Sequence, residues 1–97
     1  MPLFEWDEKK ARQNKAKHKV SFELAQRVFE DPFQLNDFDR TVKGEDRYKT
    51  LGVVGTVVLL VAHCFRKNKD GEEVIRIISA RKATTRERGE YERRAGR

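Results

Sequence analysis

The hydrophobic period changes after residue 32, and this change limits the fold more than any other feature of the sequence. Before it, apolar residues recur at helical spacing. After it, four runs rich in β-branched and aromatic residues have the length of strands, at 34–39, 47–54, 57–66 and 73–80. Short turns such as Val54-Gly55 and Lys69-Asp70-Gly71 separate the last three runs, so these strands are predicted to form an antiparallel meander.

The first third of the chain predicts a short extended segment and two helices. Residues 3–6 read as a strand or an extended arm, and Asp7 is a good N-cap for a helix that runs to about His18. Ser21 caps a second helix, which we expect to end at Asp31-Pro32 because the residue before a proline avoids the helical region.

Thr84 and Glu87 have the spacing of a capping box, which predicts a last helix that ends near Arg94. The order of elements is then a short strand, two helices, an antiparallel sheet of about four strands and a C-terminal helix. We predict one α+β domain over residues 1–97.

Charge and cysteine usage narrow the class of protein. The formal net charge is +6, from 22 basic and 16 acidic residues, which favours polyanionic partners. Cys64 is the single cysteine and cannot form an internal disulfide, as expected of a cytoplasmic protein. The apolar run around it is too short to span a bilayer, so we expect no membrane association.

One predicted strand carries an arginine between apolar residues and delivers two more bases where it ends. Arg76 lies inside the run, and Arg81 and Lys82 follow it. Burying an arginine without a partner costs several kcal/mol, so such a strand indicates either an anion site, with phosphate the natural anion, or a structural ion pair. Strict alternation would place Arg76 opposite the face formed by Ile75, Ile77 and Ser79.

Short segments in a fixed order cover nearly the whole chain. They are Phe4-Glu5-Trp6-Asp7, Lys10 with Asn14, Lys17-His18, Val20-Ser21-Phe22-Glu23, Ala25 with Val28-Phe29, Asp31-Pro32, Gly44-Glu45 with Arg47, Arg76-Ile77-Ile78-Ser79-Ala80-Arg81, then Ala83, Glu87 and Tyr91. This series resembles the BrnT family, formerly a domain of unknown function. The family usually has glycine where Lys19 stands, and a lysine in the left-handed turn after a helix costs about 1 kcal/mol.

The resemblance implies a ribonuclease toxin of a type II toxin–antitoxin system, with a RelE-like fold, that inhibits translation. It also implies a tight complex with a small DNA-binding BrnA-like antitoxin of the ribbon-helix-helix class, in a heterotetramer of two toxins and two antitoxins. The RNA substrate is cut either alone or on the ribosome. Two other readings stay open: a non-catalytic module that binds RNA or a partner, and an inactive toxin that survives as a corepressor.

A metal-independent ribonuclease drives the 2′-hydroxyl of RNA onto the adjacent phosphate. It needs cations for the phosphate, for which the candidates are Arg66, Arg76 and Arg81. It also needs a base, for which Glu45 and His63 are candidates.

Each candidate base has a structural alternative. Glu45 can form an ion pair with Arg47 on a solvated edge, and His63 alternates with apolar residues, as a satisfied core histidine does. His18, His63 and Cys64 lack the spacing of a metal site, so no metal and no cofactor are predicted.

Four further residues are candidates for RNA binding: Lys49, Lys82, Arg86 and Tyr91. A tyrosine can stack on a base, although core packing is the commoner use of a tyrosine such as Tyr91. The basic residues can either bind the RNA backbone or simply be solvated at the surface of a helix and a strand end.

Overall fold

The computed structural model describes residues 2–96, so Met1 and Arg97 of the predicted domain lie outside it. Its elements, in chain order, are β1 (Leu3–Glu5), α1 (Glu8–His18), α2 (Phe22–Ala25), a 3₁₀ segment (Gln26–Glu30), β2 (Leu35–Val42), β3 (Glu45–Val54), β4 (Val57–Lys67), β5 (Glu73–Lys82) and α3 (Thr85–Arg94). The predicted α+β class is confirmed. None of the helices in the described part is long and apolar enough to cross a membrane.

The strands form one sheet in the order β1-β5-β4-β3-β2. β2, β3, β4 and β5 pair antiparallel in sequence order, which confirms the predicted meander. β1 adds a fifth strand, which pairs parallel with β5 at residues Val74–Arg76. This pairing brings Glu5 beside Arg76 in the sheet, two residues that are far apart in the sequence.

The capping signals in the sequence act as predicted. The Asp7 side chain accepts a hydrogen bond from the Lys10 N–H at the start of α1. Ser21 accepts one from Leu24 at the start of α2. Thr84 and Glu87 form the complete capping box of α3. Lys19, which ends α1, has a left-handed φ of 62°.

The second helix is shorter than predicted. It leaves α geometry after Ala25 and continues as 3₁₀ turns to Glu30. The tighter winding brings Val28 against β3, where a Cβ at Gly52 would lie 2.9 Å from the Val28 side chain and carbonyl. The segment predicted to continue as a regular helix is therefore a 3₁₀ segment that packs closely against the sheet.

The sheet has one covered face and one partly open face. On the covered face, α1, α2 and the 3₁₀ segment pack on a core that includes Phe22, Leu59, Val61 and Ile77. On the other face, which we call the open face, α3 covers only the region of Leu51 and Val58, through its buried Tyr91. The rest of that face remains available for a site.

Asn14 anchors α1 to the outer edge of β5. Its amide donates to the Ala80 carbonyl at 2.8 Å and accepts from the Ala80 N–H at 3.1 Å. It also donates to the Val20 carbonyl. A side chain thus completes hydrogen bonds that a sixth strand would otherwise make.

The alternation predicted for β5 is wrong beyond Ile77. His63 pairs with Ile77 and Ala62 pairs with Ser79, so Ile78 is an extra residue in a β-bulge. Ser79 is exposed instead of lying on the face of Ile77, and Ala80 joins the covered core. Because of the bulge, Arg81 lies on the same, open face of the sheet as Arg76.

Candidate active site

The open face collects charged side chains from three neighbouring strands. By register, Glu45 and Arg47 of β3, Arg66 of β4 and Arg76 of β5 all point to this face. Cys64 lies between Arg47 and Arg76 on the central strand. α3 does not reach this end of the sheet, so the charged groups border solvent.

These side chains surround a pocket of about 120 Å³, which we call the arginine pocket. Its lining includes Lys10, Glu45, Arg47, Cys64, Arg66 and Arg76. Asp7 and Lys10 reach it from the start of α1, and the bulged backbone of β5 forms part of its wall. The β1–β5 pairing and the Asn14 anchor hold this helix end beside the strands.

The arginine pocket holds more positively charged side chains than its carboxylates neutralise. Glu45 lies 3.3 Å from Nη2 of Arg66 and 3.9 Å from Nε of Arg47, so one carboxylate serves two guanidinium groups. Nη1 of Arg76 lies 2.7 Å from Oε2 of Glu5. The buried Nε of Arg47 has no hydrogen-bond partner among residues 2–96. Several guanidinium donors therefore remain available to an anion.

Cys64 forms the floor of the arginine pocket and does not suit a nucleophile. Its side chain is fully buried. Burial raises the pKa of the Cys64 thiol, so the reactive thiolate is disfavoured. At the rim, the hydrogen bond from the Lys10 N–H lowers the pKa of Asp7, which stays ionised.

Arg81 lies on the same face but outside the arginine pocket. Its partner on β4 is Leu60, four residues from the Cys64 that faces Arg76, a separation of about 13 Å along a strand. Two of its nitrogens bind the two carboxylate oxygens of Glu87 at 2.7 and 3.0 Å. We call this pair the Arg81–Glu87 clasp. The hydrogen bonds from Arg81 lower the pKa of Glu87 to about 2.

His63 lies on the covered face, away from all the predicted phosphate ligands. Its side chain is 1% exposed, and Nε2 lies 2.8 Å from the hydroxyl of Thr50. Its ring packs against Phe29, Tyr48 and Phe65. Burial lowers the pKa of His63 to about 4, so the ring is neutral near pH 7. The structure does not bring His63 together with the arginines.

The four candidates for RNA binding are dispersed. Lys49 is exposed on the open face, where it borders a small pocket with Asp37, Glu87 and Glu90. Lys82 is exposed and pairs with Leu59 on the covered side, and Arg86 is exposed on α3.

Tyr91 is 1% exposed, and its hydroxyl donates a short hydrogen bond to Asp31. It packs with Leu51 and Val58 in the core beneath α3. A base cannot stack on this ring unless α3 leaves the sheet.

Four lining residues of the arginine pocket with polar or ionisable side chains were not predicted as site residues: Asp7, Lys10, Arg47 and Cys64. Arg47 was regarded only as an ion-pair partner of Glu45, although it follows Glu45 at the two-residue spacing that places both on one strand face. Asp7 and Lys10 reach the pocket from the start of α1. The parallel β1–β5 pairing holds this helix start beside the strands, and no local pattern indicates that pairing.

No group of three or more His, Cys, Asp or Glu side chains within residues 2–96 is arranged to hold a metal ion. The arginine pocket is instead built from arginine, lysine and carboxylate groups. This set suits the binding of a phosphate and the transfer of a proton.

The comparisons with known proteins agree with this chemistry. A comparison with curated proteins gives no match. A family model does match, described as the ribonuclease toxin BrnT of a type II toxin–antitoxin system, over residues 6–87. The match covers most of the 97 residues, including every lining residue of the arginine pocket, and it confirms the resemblance seen in the sequence. The chain therefore belongs to the BrnT family of ribonuclease toxins of type II toxin–antitoxin systems.

Proposed function

We propose that this protein cleaves RNA without a metal ion, and that the arginine pocket is where the scissile phosphate binds. The observation that supports this most is the convergence of Arg47, Arg66 and Arg76 on one small open pocket. Arg47 and Arg66 share the carboxylate of Glu45. Arg76 uses one of its nitrogens on Glu5. Arginine offers parallel donors that match two phosphate oxygens, and such charge-assisted bonds are the strong ones.

In this proposal the phosphate displaces Glu45 from Arg66. The long 3.3 Å contact and the 48% exposed side chain of Arg66 make that exchange easy. Glu45, freed but still held near Arg47, takes the proton from the 2′-hydroxyl. The hydroxyl oxygen attacks phosphorus, the bond to the 5′-oxygen breaks, and that oxygen is protonated by water at the open rim.

Arg66 and Arg76 stabilise the negative charge that grows on the phosphate oxygens during the attack. Removing one preorganised donor from such a site costs about 10²–10³ in rate, and general base help contributes about 10²–10⁴. Arg81, with its donors already on Glu87, is proposed to fix the start of α3 instead of binding the phosphate.

Family membership implies an antitoxin partner. We propose further that it is a BrnA-like, ribbon-helix-helix protein that binds DNA, and that two toxins and two antitoxins assemble together. The open end of the sheet supports this idea, because a partner laid over it would cover the arginine pocket and stop RNA cleavage. Loss of cleavage would explain how the antitoxin restores translation.

The test is cleavage of RNA by the purified protein in the presence of EDTA. We expect products that end in 2′,3′-cyclic phosphate, because the 2′-oxygen is the nucleophile. Absence of cleavage with and without ribosomes would contradict the proposal. Salt-sensitive RNA binding without cleavage would favour the binding module. A harmless lone protein whose complex with the antitoxin binds operator DNA would favour the corepressor.

A further inference from the structure

The outer flank of α1 carries a group of basic side chains that is separate from the arginine pocket. Arg12, Lys15 and Lys19 are exposed and lie around Ala16 on the same side of the helix, where they line a shallow groove. We call these three bases the α1 patch. None of them has a carboxylate oxygen within 4 Å in the described part of the chain.

The other long helix shows that a basic helix in this protein can be neutralised. α1 contains five Lys or Arg residues and one acid, whereas α3 contains four bases and three acids. On α3, Arg94 pairs with both Asp37 and Glu90. The charge of α1 therefore reflects a feature of that helix and not a general lack of acids.

Helix stability explains only part of the α1 patch. Lys15 lies in the last turn and Lys19 follows it, where cations interact favourably with the helix dipole, and Nζ of Lys19 donates to the Ala16 carbonyl. Arg12 lies before that turn and faces Lys15 three residues away, so it meets a like charge without the benefit of the dipole. Lys19 also carries the cost of its left-handed backbone, with φ at 62°.

α1 lies between the arginine pocket and the α1 patch. Lys10 lines the pocket, and the helix then runs for about 13 Å from Lys10 to Lys19. Since each residue turns the helix by about 100°, Arg12, Lys15 and Lys19 lie on the opposite side of α1 from Lys10. A strand of RNA whose scissile phosphate lies in the arginine pocket must therefore pass around α1 to reach the α1 patch.

We propose that the α1 patch binds the phosphate backbone of the RNA substrate, at nucleotides beyond the cleaved bond. This inference rests on the proposed ribonuclease function and adds a requirement on the substrate: it must be long enough to reach both surfaces. The α1 patch contributes affinity through contacts to phosphate, and such contacts carry no sequence information directly.

An acidic protein is the less suitable partner for this surface. Protein interfaces gain most of their energy from buried aromatic or large apolar anchors. The exposed large apolar residues of the described chain are Leu3, Leu24, Phe33, Phe38, Val57 and Phe65, and none of them lies on α1. A surface of point charges around an alanine suits a charged backbone.

The experiment compares the triple variant R12Q/K15Q/K19Q with a control that removes the same charge elsewhere, K69Q/R88Q/R93Q. All six residues are exposed, and glutamine keeps helix propensity. RNA binding is measured by fluorescence anisotropy across a salt series, and cleavage is measured on a trinucleotide and on an RNA of some 25 nucleotides. Thermal unfolding checks that each variant is folded.

For the α1 patch variant we expect the slope of log Kd against log salt to fall by about 2, since each phosphate contact on single-stranded RNA contributes about 0.7. KM for the long RNA rises at least about tenfold, whereas kcat and the cleavage of the trinucleotide stay as in the parent. The control variant keeps the parental slope and KM. If the triple variant does not fold, K15Q alone is expected to lower the slope by about 0.7.

An unchanged slope, or an equal change in the control variant, would overturn the proposal. So would weaker binding of the antitoxin with RNA binding intact, which would assign the surface to a protein partner. If the parent protein cuts no RNA at all, the ribonuclease proposal fails, and the binding measurements still decide whether the α1 patch holds RNA.

Discussion

The arginine pocket and the Arg81–Glu87 clasp lie on the open face of the same sheet, yet they use arginine differently. In the clasp, one guanidinium meets one carboxylate through two hydrogen bonds of 2.7 and 3.0 Å. In the arginine pocket, Arg66 and Arg47 share Glu45 at 3.3 and 3.9 Å. The clasp is saturated and the pocket is not.

This difference separates arginines that hold the fold from arginines that can bind a ligand. Glu87 also accepts the Thr84 N–H as part of the capping box, so the clasp joins the end of β5 to the first turn of α3. A phosphate would have to break this connection to reach Arg81. At Arg66 a phosphate only replaces one long contact, which suggests that catalytic loss and structural loss can be separated by mutation.

The largest expected effect is on catalysis, from Arg66→Ala in the arginine pocket. Cleavage of RNA measured in single turnover is expected to fall about 10²–10³-fold, because one donor to the developing phosphate charge is lost. The free energy of unfolding is expected to change by less than about 0.5 kcal/mol, because the side chain is 48% exposed.

Arg40→Ala is the matched control for Arg66→Ala. Arg40 is 71% exposed and forms an ion pair with its neighbour Asp39. It lies opposite Arg47 in the β2–β3 register but does not line the arginine pocket. The substitution Arg40→Ala removes the same charge from the same sheet as Arg66→Ala does. Cleavage by this variant is expected to stay within about twofold of the parent. Equal losses in the two variants would mean that net charge, and not the arginine pocket, determines the activity.

Local signals predicted the elements of the fold well. Period, capping residues and turn residues gave the helix starts at Asp7, Ser21 and Thr84 and the meander. The errors arose where tertiary contacts decide the geometry. Packing of Val28 on Gly52 accompanies the 3₁₀ segment, and the β4–β5 register, not the apolar pattern of β5, places the bulge at Ile78.

The candidate site was predictable in part. Composition, and the arginine that lies inside the apolar run of β5, pointed to a phosphate site on the sheet. Sequence alone cannot say which arginine has a carboxylate partner, because Glu5 reaches Arg76 only through the parallel β1–β5 pairing. Nor can the sequence say that His63 lies on the covered face, because successive side chains of one strand point to opposite faces of the sheet.

The second effect is a loss of stability at acidic pH, which is caused by the buried His63 and not by the arginine pocket. Burial lowers the pKa of folded His63 to about 4 from 6.5, so the unfolded chain binds the proton first as the pH falls. The contribution of neutral His63 to the free energy of unfolding is complete above pH 6.5. It is lost between about pH 6.5 and pH 4, and this loss amounts to about 2–3 kcal/mol. Urea unfolding at pH 7 and pH 4.5 measures it.

His63→Gln keeps a donor for Thr50 and removes the titration. The parent is expected to lose more stability than this variant between the two pH values. A variant that loses as much as the parent would mean that other groups cause the acid sensitivity. The activity of the parent below pH 6.5 can then be corrected for unfolding before a loss of cleavage is attributed to the arginine pocket.

The third effect is structural, from Arg81→Ala in the Arg81–Glu87 clasp. We expect the free energy of unfolding to fall by about 1 kcal/mol, since both side chains are partly exposed. Cleavage is expected to fall less than about tenfold. A double-mutant cycle with Glu87→Gln measures the coupling of the pair. A loss of cleavage as large as that of Arg66→Ala, in a folded protein, would place Arg81 in the catalytic site.

The smallest expected effect is the acid titration of the Arg81–Glu87 clasp. The hydrogen bonds from Arg81 lower the folded pKa of Glu87 to about 2 from 4.5, so the folded form holds the charged carboxylate more firmly than the unfolded chain does. The contribution to stability is therefore complete above pH 4.5 and is lost as the pH falls towards 2. Solvent screening limits it to at most about 1 kcal/mol. Comparing the urea midpoints of the parent and Glu87→Gln at pH 5.5 and pH 3 tests this: the gap between them should narrow at pH 3, and a constant gap would show that Glu87 acts mainly as a helix cap, which the glutamine can replace.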